Sequence, residues 1–138
     1  MKIFITCSTA FYSQIEPIKK ELENLHHEII LPNGYPNENK KNYSTWTDEE
    51  YHEFFKKMYQ ESRTKIKSVD AILVLNYTKT TKNISSTNYI GASTFLEMYE
   101  AYMQNKKIYL YNDIPDNMLK DEIKGFNPII IRKNLEKI

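Results

Sequence analysis

The run Val69–Asp70–Ala71–Ile72–Leu73–Val74–Leu75–Asn76 constrains the fold most tightly. Apolar side chains at almost every position describe a strand covered on both faces, the usual condition of a parallel strand. Parallel neighbours need long crossovers, and the chain supplies helical segments between further short apolar runs. Residues 2–7 (Lys-Ile-Phe-Ile-Thr-Cys) read as a first buried strand. Ile15, Ile18, Leu22 and Leu25 recur at three- and four-residue spacing, which predicts a helix over 11–26. Pro17 falls inside that run, where it must sit in the first turn or kink the helix. Glu28–Leu31 reads as a second strand, closed by Pro32–Asn33–Gly34.

A polar loop over 33–46 leads to a helix over 47–67. Thr47 caps it, Asp48, Glu49 and Glu50 suit the positive end of its dipole, and Tyr51, Phe54, Phe55, Met58, Tyr59 and Ile66 form its apolar face. Beyond the strand at 69–76 come a loop over 77–90, a helix over 91–104, a strand over 107–111, a short helix over 115–124 and a last strand over 128–132. The alternation predicts one α/β domain over 1–138: a doubly wound, five-stranded, mainly parallel sheet with helices on both faces, flavodoxin- or Rossmann-like.

Composition excludes several classes. Nineteen Lys and Arg stand against 18 Asp and Glu, so charge gives no reason to expect nucleic acid or an anionic membrane as partner. No run approaches the ~20 apolar residues of a membrane span, and the N-terminal apolar run is too short for a signal peptide, so a cytoplasmic protein is expected. Only three glycines occur, Gly34, Gly91 and Gly125, so neither G-x-G-x-x-G nor a P-loop can be written. His26, His27 and His52 lack metal-ligand spacing, and no metal or other cofactor is expected.

Ligands of open α/β sheets bind beyond the carboxyl ends of the strands. Cys7, Ser8, Thr9 and Phe11 follow the first strand and Asn76 ends the third, so all five are candidate substrate-binding residues. As a nucleophile Cys7 lacks an assigned base and reads as a pocket-lining or buried residue. Ser8 and Thr9 read either as helix caps or as ligand hydroxyls, and Phe11 either as core or as a stacking ring. Asn76 either satisfies loop backbone or contacts a ligand. Gly91–Ala92–Ser93–Thr94–Phe95–Leu96–Glu97 opens the helix after the third strand. Gly91, Ser93 and Thr94 join the binding set, and Glu97 is the candidate catalytic residue. Ser93, Glu97 and Ala101 share one stripe, whereas Glu100 is assigned to solvent. A carboxylate near a helix start is expected to stay ionised through the dipole, which suits a nucleophile.

These segments, from the first strand with Ser8 and Phe11 to the Glu97 helix and Lys106–Leu110, resemble the nucleoside 2-deoxyribosyltransferase superfamily, which includes deoxynucleoside monophosphate N-glycosidases. The resemblance implies that Glu97 attacks C1′ of a nucleoside or nucleotide, that Phe11 packs on the base, and that the chain is a homo-oligomer, a dimer or higher. Two positions depart from the family pattern. Asn76 and Asn88–Tyr89 stand where transferases carry aspartates, and the tail Asn134–Ile138 lacks a terminal tyrosine. The neutral amides leave open a second reading, a nucleotide- or nucleoside-binding module without turnover. A third is an interaction protein whose Glu97 is merely solvated.

Overall fold

The computed structural model describes residues 1–37 and 43–138. Strands β1 (Lys2–Thr6), β2 (Glu28–Ile30), β3 (Ala71–Val74), β6 (Lys107–Leu110) and β7 (Ile129–Ile130) form one sheet in the order β2-β1-β3-β6-β7, every neighbouring pair parallel. After β2 the chain crosses back over β1 to lay down β3, so the order reverses at the β1/β3 pair. That is the topological switch point of the fold.

Alternation along β1 separates two cores. Ile3 and Ile5 face α1 (Ile15–Asn24), meeting Ile15, Ile18 and Leu22. Phe4 faces the other way, into a core with Ile66 of α2 (Asp48–Lys67), Met98 and Ala101 of α3 (Ala92–Met103), and Ile123 of α4 (Lys120–Gly125). Thr6, two residues after Phe4, is turned toward α2 and α3 by the same period.

The helix expected over 11–26 divides in two. Thr9–Gln14 is a 3-10 helix, its start capped by Ser8, whose Oγ accepts from the Ala10 N–H at 3.3 Å. α1 then begins at Ile15, which places Pro17 within the first turn, where its missing N–H costs little. Thr47 and Glu50 form a reciprocal capping box on α2. The loop expected over 33–46 contains a 3-10 turn at Tyr43–Thr45, and its residues 38–42 lie outside the described residues. The segment 77–90 is not a plain loop: β4 (Lys79–Thr81) and β5 (Ile84–Ser86) pair as an antiparallel hairpin. Its turn, Lys82–Asn83, holds both residues at positive φ, the geometry of a tight two-residue hairpin. No described helix is long and apolar enough to cross a membrane.

Candidate functional site

Glu97 lies in the second turn of α3, where it meets two hydroxyls from different elements. Thr6 Oγ1, at the end of β1, donates to Glu97 Oε2. Ser62 Oγ, from α2, donates to Glu97 Oε1 at 2.7 Å. Ser62 occupies a core-facing position one turn before Ile66 and is only 8% exposed. Thr94 Oγ1, also buried, lies 3.5 Å from Thr6 Oγ1. Two strand- and helix-borne hydroxyls thus hold one carboxylate, one on each oxygen.

Burial raises the Glu97 pKa above its ordinary 4.5, while the bonds from Thr6 and Ser62 and the charge of Lys65 oppose the rise. This corrects the expectation of a dipole-stabilised anion. Glu97 stands five residues, ~7.5 Å, beyond the start of α3, and the dipole acts mainly within the first turn. Lys65 is held near the site by donating to the Leu31 carbonyl at 2.9 Å. Glu100, one turn on, is bound by Arg63 at 2.9 and 3.3 Å and by Gln104 at 2.6 Å. These partners keep its pKa below the ordinary range.

Glu97 lines a groove of about 680 Å³ between α2 and α3, with Ser62, Ser93 and the rings of Phe55, Tyr59 and Tyr99. His52, Lys56 and Arg63 add cationic or titratable groups along the α2 side. Ser93 is therefore the predicted binding residue that shares the groove with Glu97. Phe11 does not line it. Its ring is 5% exposed and packs edge-on against Tyr77 and Tyr89, with centroids at 5.5 and 6.4 Å. It borders a second crevice of about 580 Å³ over the strand ends, with Tyr77, Lys79, Asn88, Asn112 and Lys133.

Of its two readings, Asn76 follows in its bonds the one that satisfies loop backbone. It is fully buried, donates to the carbonyls of Asn112 and Asp113 at 3.3 and 3.0 Å, and accepts from the Asn112 N–H at 2.8 Å. Every polar atom of its amide is taken up in joining the ends of β3 and β6. Ser8 is occupied as a cap, Thr9 is exposed, and Gly91 is the N-cap residue of α3 without a side-chain bond. Cys7 is buried, and burial together with nearby Glu97 pushes its pKa up to about 12, which disfavours the thiolate a nucleophile needs. Thr6, Ser62 and Lys65 were not among the residues singled out from sequence. A threonine two places after Phe4 and a serine one turn from Ile66 are polar groups on core faces, which need buried partners.

No protein-family model matches the chain, and no curated protein matches it. Among solved structures it is similar to the CMP N-glycosidase BcmB of Clostridium botulinum, with a TM-score of 0.51 and 14% identity over 94% of this chain and 84% of that one. It is also similar to a 2-deoxyribosyltransferase of Bacillus psychrosaccharolyticus, with a TM-score of 0.48 and 17% identity over 80% of this chain and 71% of that one. At such identities the likeness is one of fold. The chain therefore has the fold of the Clostridium botulinum CMP N-glycosidase.

Proposed function

We propose that this protein cleaves or transfers the N-glycosidic bond of a nucleoside or nucleotide, with Glu97 as nucleophile. A Glu97 oxygen bonds to C1′ as the C1′–N bond breaks, and the bonding electron pair leaves with the base, which takes a proton from water. The transition state carries oxocarbenium character, which an adjacent carboxylate stabilises. The product is a glycosyl ester on Glu97. Water then releases the sugar and restores the carboxylate, or a second base takes the sugar.

The observation that carries this reading is the setting of Glu97. Its carboxylate is bound by two neutral hydroxyls rather than by a cation, and Glu97 lines a groove of about 680 Å³. Exposed Tyr99 offers a ring for a base, beside Phe55 and Tyr59, which pack on each other at 5.9 Å, and Ser93 offers a hydroxyl for the sugar. The shared fold with a CMP N-glycosidase supports the reaction class. Exposed Tyr102 and Met103 on α3, outside the groove, support the expected homo-oligomer.

One observation favours the second reading, binding without turnover. Glu97 and Glu100 are the carboxylates lining the groove among the described residues, and Glu100 is tied to Arg63 and Gln104. Among the described residues, the groove thus has no unengaged carboxylate to assist a leaving base. Incubation with deoxynucleosides, nucleoside monophosphates and NAD, with chromatography for free base, separates the readings. Base release that is lost in Glu97→Gln supports the nucleophile. Ligand-dependent melting shifts without base release support the binding module.

A further inference from the structure

We infer that Asn33, in the loop after β2, is a positioning residue for Glu97, acting through Ser62 by denying that serine its ordinary helical partner. This rests on the reading of Glu97 as nucleophile. Helix serines and threonines commonly donate to the carbonyl four residues back. α2 shows the habit directly, since Thr64 Oγ1 donates to the Gln60 carbonyl at 3.0 Å. The equivalent acceptor for Ser62 is the Met58 carbonyl, yet Ser62 donates to Glu97 instead.

Asn33 accounts for the difference. Its Nδ2 donates to the Met58 carbonyl at 3.2 Å and to Ser62 Oγ at 2.9 Å. The first bond occupies the competing acceptor. The second fills a lone pair of Ser62, so the hydroxyl proton is left for Glu97. Both Nδ2 protons are used, and a flipped amide would set its oxygen against the Met58 carbonyl. The loop is anchored in turn by Tyr12, whose hydroxyl donates to the Asn33 carbonyl at 3.1 Å. The orientation of one carboxylate oxygen is therefore fixed by three elements: the 3-10 helix after β1, the β2 loop and α2. Lys65 on α2 is the charged group that also acts on Glu97, and Glu97 in turn raises the pKa of Cys7 beyond β1.

The test is a double-mutant cycle read on the carboxyl itself. The Glu97 titration is followed by carbon NMR on protein labelled at glutamate side chains, assigned by its loss in Glu97→Gln. Ser62→Ala and Asn33→Leu should each raise the Glu97 titration point, by about one pH unit for loss of a bond to a charged acceptor. The double variant should match Ser62→Ala alone, because Asn33 acts only through the serine. Base release should fall about tenfold in kcat in each variant with KM little changed, and the acid limb of its pH profile should shift upward. Asn33→Ser, too short to reach both partners, serves if Asn33→Leu does not fold. An unmoved Glu97 titration in the Asn33 variants, or an additive double variant, overturns the proposal. A wild-type chain that releases no base while the titrations follow the cycle removes the glycosyl-transfer reading and upholds the relay.

Discussion

The groove between α2 and α3 and the crevice over the strand ends divide the labour of the molecule differently. The first is walled by rings and helix side chains and contains a carboxylate held by neutral hydroxyls. The second is rimmed by Lys79 and Lys133 with amides and hydroxyls, and has no carboxylate in its walls among the described residues. Its aromatic residues are engaged with one another: Phe11 with Tyr77 and Tyr89, and Tyr77 with Tyr111 at 5.1 Å. Asn76, buried beneath the strand ends, is committed to backbone. The difference teaches that a polar residue at a strand end can be structural, while a polar residue on a core face can be the support of a reactive group.

The sharpest way to break this comparison is to remove one key residue from each side. Glu97→Gln should lower base release on the order of 10³-fold or more, as loss of a nucleophile does. Phe11→Leu should leave kcat/KM within about threefold. A collapse of activity in Phe11→Leu with the fold intact would move the substrate to the strand-end crevice. Next in size is Asn76→Ala, which strands backbone groups of Asn112 and Asp113. It should cost about 2–4 kcal/mol in denaturant unfolding, with turnover per folded molecule unchanged. Lost turnover at full stability would instead give Asn76 a contact with ligand. Tyr99→Ser should then raise KM about three- to tenfold through lost ring contact. An unchanged KM would take the base away from that wall.

The smallest effect is one of pH. Glu97 titrates above its ordinary 4.5 in the folded chain and near 4.5 when unfolded, so the folded state binds the extra proton between those values. Its contribution to stability is thus present below pH 4.5 and is lost as pH rises through the folded value. Over that window Glu97→Gln should gain in melting temperature relative to wild type, while wild-type base release should rise as the carboxylate ionises. A wild type that gains stability relative to the variant across this range would reverse the sign.

The main sheet was legible because uninterrupted apolar runs admit few other arrangements. Its parallel order follows from the crossover lengths, and α2 from its cap and apolar stripe. The β4/β5 hairpin was hidden because Lys82–Asn83 lacks the Asn-Gly or Asp-Gly signature, and Thr-Ser-Lys strands carry no apolar alternation. Glu97 was picked out by its place after the third strand. Its electrostatics were not, because the desolvation comes from α2 and β1 packing over it. Ser62, Thr6 and Asn33 belong to distant segments that only the folded chain brings together.

The account's central claim is tested most directly by trapping the covalent intermediate. A nucleoside analogue fluorinated at C2′ slows breakdown of a glycosyl ester, and intact-mass and peptide mass spectrometry would locate the adduct. The account expects the mass of one fluorosugar on the peptide containing Glu97, and none in Glu97→Gln. An adduct on any other residue, or base release with Glu97→Gln as fast as with the wild type, would contradict it.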